Sequence, residues 1–261
     1  MPELLTFALL ADTGLVRHAF TTRRGGVSTG PLASLNMGFG VGDAPENVRT
    51  NRRLVCEAAG LDPGHIVAGR QVHGHRAAVV GAGELGMGAM DPETAIPDTD
   101  ILLTSTRGVV LTSFYADCVP LIFLDPVAPA VALAHAGWRG TVQKAGEACV
   151  RAMTAAFGSE PGRILAAIGP AADACCYEVD EPVQREFARA FPRWPDLLAP
   201  RGPGRWLADL KEANRRTLLD AGLRAEHIEV SPLCTVCRPD LFFSYRAAGV
   251  TGRMASLIAL V

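Results

Sequence analysis

Four short runs in the middle of the chain are almost wholly apolar: ILLTS, GVVLTSFYA, VPLIFLD and AVALAHAG. A strand with one wet face would alternate apolar and polar residues, so these β-branched runs predict strands buried inside a covered sheet. RILAAIGP has the same character. VRHAFTT, HIEVSPLCT, LFFSYRAAG and ASLIALV read as further strands near the two ends. HIVAGRQVHG and RAAVVGAG read as a hairpin-like pair, followed by a flexible excursion, GELGMGAMDPETAIPDTD. Helical periodicity takes over elsewhere. WRGTVQKAGEACVRAMTAAFG places Val142, Ala145, Ala148, Cys149, Ala152 and Met153 on one stripe and predicts a single helix. ENVRTNRRLVCEAAG, EPVQREFARAF and LADLKEANRRTLLDAG are helices too. The first of these is expected to start at a capping box, Asp43-Ala-Pro-Glu46, and to end at Gly60.

Strands and helices therefore mix without strict βαβ alternation. That predicts an α+β fold, a single-domain layered α/β sandwich with a mixed sheet over residues 1–261. Composition agrees with a large core: 49% of the 261 residues are hydrophobic and 20% are charged. The net charge of −2 and the scattered arginines offer no basic face for nucleic acid or an acidic membrane. No apolar run approaches the ~20 residues that span a bilayer. The N-terminus lacks a basic region and a small-residue cleavage site, so the expected location is the cytoplasm. Seven cysteines, an odd and irregular set, suggest free thiols or ligands instead of a disulfide frame. The chain is expected to act as a monomer or small homo-oligomer.

Three residues with chemical potential stand at ends of apolar strands: His73 in GRQVHGH, Cys118 in YADCVPL and His135 in ALAHAGW. Strand ends at a sheet rim are where a rigid scaffold presents functional groups. One thiolate and two imidazoles suit zinc, and three protein ligands leave a position open, as in catalytic zinc sites. The same atoms also suit a cysteine nucleophile with a histidine base, and a packed core thiol. Asp117, beside Cys118, is a candidate to orient an imidazole or accept a proton. His75 is a candidate fourth ligand, because residues two apart share a face of a strand. Arginine forks suit phosphate or carboxylate, which marks Arg23, Arg70 and Arg139 as substrate contacts. Gly38-Phe39-Gly40-Val41-Gly42 follows no convincing strand and is no dinucleotide fingerprint. Cys234-Thr-Val-Cys237 is a C-x-x-C that could join Cys175-Cys176 around a structural zinc. Adjacent cysteines make poor joint ligands, however, and the expectation is against such a site. Cys56 and Cys149 fall on helix stripes and are expected in the core.

Seven blocks in order carry a resemblance: TTRRGGVSTGPLASLNMG, GRQVHG, DTDILLT, ADCVPLIF, AHAGWRG, IGPAADACCYEV and CTVCRPDLFFSYR. Together they resemble the YfiH family, also called the laccase-domain or multicopper polyphenol oxidoreductase family, now described as purine nucleoside phosphorylases. The resemblance implies a zinc site at His73, Cys118 and His135, with catalytic roles for these residues and Asp117. It also implies phosphorolysis of adenosine, inosine, guanosine and methylthioadenosine, and deamination of adenosine. The implied partners are a small-molecule nucleoside and phosphate. Arg23, Arg70, Gln71 and Arg139 match family blocks and are assigned to substrate. The implied fold is similar to the Cys-His hydrolase domain of cytotoxic necrotizing factor toxins. Some members are credited with copper-dependent phenol oxidation, and some with editing peptidoglycan precursors as a hydrolase or amidase. Copper is thus the alternative cofactor, although six histidines are few for multicopper chemistry.

Overall fold

A computed structural model describes all residues from 1 to 261. The first third of the chain supplies strands β1 (Leu4–Leu5), β2 (Val16–Thr21), β3 (Ile66–Ala68) and β4 (Ala77–Val79). The four central apolar runs form β5 (Ile101–Thr104), β6 (Val110–Tyr115), β7 (Val119–Asp125) and β8 (Ala130–Ala136), followed by β9 (Leu165–Ile168). The last third adds β10 (Glu178–Asp180), β11 (Leu198–Gly202), β12 (Arg205–Ala208), β13 (Ile228–Val230) and β14 (Met254–Leu260). The helices are α1 (Ala8–Ala11), α2 (Pro45–Ala59), α3 (Trp138–Val142), α4 (Ala145–Phe157), α5 (Glu181–Ala190), α6 (Leu210–Asp220) and α7 (Tyr245–Ala248). None is long and apolar enough to cross a membrane.

Two mixed sheets lie face to face. One has the order β1-β2-β14-β6-β3 and the other β13-β9-β7-β8-β5-β4, while β10-β12-β11 forms a small third sheet. The period of two along each strand divides its residues between two cores. On β7, Ile122 and Leu124 point to the core between the sheets, whereas Val119, Leu121 and Phe123 pack toward helices α4, α5 and α6. On β14, Met254, Ile258 and Leu260 face the other sheet, and Ala255, Leu257 and Ala259 face α2. Both sheets are thus covered on both sides, giving a layered α/β sandwich. This is the physical reason their strands read as continuous apolar runs.

Local sequence misled at several places. The two segments read as a hairpin do not pair. β3 joins β6 in one sheet and β4 joins β5 in the other, both parallel, so residues 69–76 cross from sheet to sheet. The helix expected over residues 138–158 breaks at Lys144, which takes a left-handed φ of 60° and separates α3 from α4. LFFSYRAAG is not a strand: Phe242 and Phe243 are core residues, and the Ser244 hydroxyl accepts the Ala247 amide to start α7. The excursion after β4 is tied down, with the Thr94 hydroxyl accepting the Gly88 amide and Ile96 N–H donating to the Ala68 carbonyl.

The capping box does not form. Helix α2 begins at Pro45 without a side-chain cap and ends at Gly60 in the left-handed region, as expected. The Asp43 carboxylate instead accepts from Ser28 Oγ at 2.6 Å and from the Asn36 and Asn47 amides at 2.9 Å, stitching the glycine-rich loop to the helix. Burial pushes this carboxyl up, yet the three donors outweigh it and leave it below the ordinary value. A carboxyl held low in the folded state stabilises above its unfolded pKa, and that stability fades as pH falls through the folded value. Asp43→Ala is expected to cost about 1–3 kcal/mol near neutrality. Its melting temperature should converge on the parent's as pH drops below about 4, and thermal melts across that range check it.

Candidate active site

The sheet-to-sheet crossover at residues 69–76, the β6–β7 turn and the end of β8 meet at one rim. Asp100, just before β5, organises the meeting. Its buried carboxylate accepts the Val72, His73 and Gly74 backbone amides at 2.8–3.1 Å, a nest of three consecutive donors. The same carboxylate accepts His135 Nδ1 at 2.8 Å, which leaves the other ring nitrogen for the site. Val72 to Gly74 are thereby clamped, and His73 takes a left-handed φ of 62°. Burial pushes the Asp100 carboxyl up, but the His135 bond and the Gly74 and Val72 amides keep it below the usual carboxylate range. The residue lies in the DTDILLT block, but composition and spacing gave it no role.

One ligand atom from each of His73, Cys118 and His135 lies within 4.8 Å of the others. The two imidazoles meet edge to face, with ring centroids 4.9 Å apart. Burial pushes the Cys118 thiol up, but the His135 and His73 imidazoles outweigh it and bring it down to about 6. Burial works against protonated His135 as well, and the Cys118 thiolate and Asp100 raise it to about 9. The donor set is two imidazole nitrogens and one sulfur, convergent and backed by a carboxylate, which fits a single borderline-soft cation such as zinc. The remaining histidines are elsewhere: His18, for example, accepts the Phe7 amide in the core. A multinuclear copper centre, with its many imidazoles, has no counterpart here.

Gly137 abuts this cluster closely. A Cβ there would stand 2.9 Å from Cys118 Sγ and 3.2 Å from His73 Cδ2. Gly137→Ala is expected to displace both side chains and weaken metal binding by ~10- to 100-fold while the protein still folds. Zinc titration and circular dichroism of the variant check this.

The three residues open onto a cavity of about 790 Å³, within the usual size of small-molecule sites. Arg70 and Arg139 line it. Arg139 stacks on Trp138 at 4.4 Å and has no acidic partner, whereas Arg70 lies 3.6 Å from Asp98. The other two expected substrate contacts are committed elsewhere. Arg23 lies outside the cavity, donating to the Ala33 and Pro239 carbonyls and stacking on Phe243. Gln71 borders the cavity but clasps the Phe114 backbone through both atoms of its amide. Asp117 accepts the Thr235 hydroxyl at 2.7 Å and the Arg246 amide at 2.6 Å, and so braces the turn before Cys118 instead of facing an imidazole. His75 is turned to Gln143 at 2.8 Å and does not join the cluster, because residues 73–75 are not a strand. Sequence reasoning missed Arg246, Arg253, Tyr177 and Tyr245, which complete the cavity wall.

Fold and site together define a class: a layered α/β sandwich with a two-histidine, one-cysteine cluster in an arginine-lined cleft. A family model described as multi-copper polyphenol oxidoreductase laccase matches residues 17–261, and the chain belongs to that family. The crystal structure of the Bacillus licheniformis hypothetical protein YfiH superposes with a TM-score of 0.95 at 38% identity, covering 100% of this chain and 97% of that one. YlmD of Bacillus subtilis (strain 168), named a purine nucleoside phosphorylase, is 42% identical over 243 residues, 92% of this chain and 87% of its own. Adenosine deaminase RL5, from an unknown prokaryotic organism, is 35% identical over 236 residues, 89% of each chain.

Proposed function

We propose that this protein is a zinc-dependent purine nucleoside phosphorylase that also deaminates adenosine. The observation that carries the reading is the convergence of His73, Cys118 and His135 on a nucleoside-sized cavity lined with arginines. The names of the relatives YlmD and RL5 supply the two reactions. Zinc held by the three residues would act as a Lewis acid on an oxygen nucleophile. The chain's own contribution is placement. Arg139, with no carboxylate partner, and Arg246 and Arg253 across the cavity would hold a phosphate dianion against ribose C1′. Phosphorolysis then breaks the bond from C1′ to the purine nitrogen and forms a C1′–oxygen bond to phosphate. Trp138, Phe39 and Tyr245 offer aromatic surface for the base. Deamination uses the same cavity, with an oxygen from water replacing the 6-amino group and ammonia leaving.

Zinc-verified protein incubated with adenosine, with and without phosphate, tests the proposal. Adenine and ribose 1-phosphate appearing only with phosphate, and inosine in either case, are the expected products. Neither product from zinc-loaded protein would sink it. Arg139→Ala is expected to raise the KM for phosphate by ~10- to 100-fold, the worth of a charged hydrogen bond, and to leave phosphate-free deamination largely intact. Steady-state kinetics in both modes check that split.

A second reading rests on one specific arrangement. Cys118, His135 and Asp100 stand as a thiol–imidazole–carboxylate chain, the pattern of a Cys-His hydrolase or amidase such as one that edits a peptidoglycan precursor. Cys118 would attack an amide carbonyl and His135 would protonate the departing amine. Stoichiometric alkylation of Cys118 by iodoacetamide in zinc-free, amidase-active protein would select this reading over the first.

A further inference from the structure

A second sulfur cluster lies outside the catalytic group. The Sγ atoms of Cys175, Cys176, Cys234 and Cys237 all lie within 4.8 Å of one another. Cys237 Sγ is 3.0 Å from Cys176 Sγ and 3.5 Å from Cys175 Sγ. A disulfide needs about 2.05 Å, and tetrahedral thiolates around zinc stand roughly 3.8 Å apart given Zn–S bonds near 2.3 Å. The four sulfurs therefore have the spread of a coordination shell. We propose that these four cysteines bind a structural zinc ion that clasps the 169–177 loop to the 231–238 loop.

Adjacent cysteines make poor joint ligands where their side chains diverge. Here they do not, because the backbone at residues 173–177 is a tight turn. The Asp173 carbonyl accepts both the Cys176 and Tyr177 amides, so successive side chains differ by ~100° instead of the ~180° of a strand. Cys234 and Cys237 have the short C-x-x-C spacing of zinc ligands, and their own turn is closed by Arg238 N–H donating to the Cys234 carbonyl. Other bonds hold the two loops in register. Ala171 bridges Cys234, Thr235 N–H donates to the Ala171 carbonyl, and buried Lys211 binds both Asp173 and the Ser231 carbonyl. All four positions of a tetrahedron are filled by protein, which is the mark of a structural and not a catalytic zinc.

The clasp reaches the cleft through named contacts. Thr235, between the two C-x-x-C cysteines, donates to Asp117, the neighbour of Cys118. Tyr177, one residue past Cys176, stacks under the Arg246 guanidinium at 4.6 Å on the cavity wall. A zinc here would fix that wall without touching substrate.

The test separates this site from the catalytic one. Elemental analysis is done on full-length protein purified under reducing conditions from zinc-supplemented medium. If both sites bind zinc, the parent carries two ions per chain. Cys118→Ala/His135→Ala then keeps one, and Cys175→Ser/Cys237→Ser keeps the other. If only the catalytic reading fails, the parent carries one, the first variant keeps it, and the second carries none. X-ray absorption of zinc in Cys118→Ala/His135→Ala should show sulfur neighbours alone, at about 2.3 Å; this does not depend on the serine variant folding. Absence of zinc from Cys118→Ala/His135→Ala, nitrogen or oxygen neighbours in that variant, or a disulfide among the four cysteines would overturn the proposal.

Discussion

Cys118→Ala is expected to end nucleoside turnover and release the metal of the cleft. Loss of a residue that merely supports a ligand costs ~10- to 100-fold, and loss of one of only three protein ligands should cost far more. The effect should be confined to the site. Cys118 is half-buried at a turn, and trimming one sulfur there is expected to cost only about 1 kcal/mol, so the melting temperature should stay near the parent's. The informative comparison is zinc content against turnover across the variant series. Nucleoside turnover persisting in zinc-free Cys118→Ala would defeat the metal reading. Loss of amidase activity in a protein whose parent never held cleft zinc would transfer Cys118 to the role of nucleophile.

Asp100→Asn should be nearly as damaging, although this residue faces no substrate. Every partner of the Asp100 carboxylate is a donor: three backbone amides and His135 Nδ1. An asparagine keeps one acceptor oxygen and turns an NH₂ group toward the remaining donors. Oδ1 serves the His73 amide and His135 Nδ1, and Oδ2 serves the Val72 and Gly74 amides, so two donors lose their partner whichever oxygen is replaced, at about 1–3 kcal/mol for each group left unsatisfied. Either the His73 backbone and His135 lose their acceptor together or the amides flanking His73 do, and metal affinity should fall ~10- to 100-fold. A residue that only stabilised the fold would lower the melting temperature and leave zinc affinity per folded molecule unchanged. Competitive zinc titration at a temperature where the variant is fully folded distinguishes the two.

The buried strands were legible because their information is local. VPLIFLD and AVALAHAG are apolar on both faces, and a strand of that kind must lie in a covered sheet wherever the chain takes it. Cys118 and His135 were legible as candidates for the same reason, since they sit at the ends of those strands, antiparallel neighbours in one sheet. Arg23 shows the limit. An arginine in a glycine-rich loop reads as an anion contact, but the Ala33 and Pro239 carbonyls and the Phe243 ring took its guanidinium, and Pro239 and Phe243 come from the far end of the chain. Arg246 and Arg253 carried no local signal of a role and line the cavity because α7 and the segment before β14 fold back onto it.

By itself, then, the sequence determined the covered strands, the helical stripes and the residues chemically able to bind a metal, because hydrophobic period and side-chain chemistry are properties of a short stretch. Tertiary structure alone decided the partners. It carried residues 69–76 from one sheet to the other, so that Asp100 could gather three amides and a histidine. It also set Cys175-Cys176 against Cys234 and Cys237 across some sixty residues. Both outcomes depend on backbone turns and on long-range closure of the chain; the C-x-x-C spacing was there to read, but not the turn that lets Cys175 and Cys176 face it.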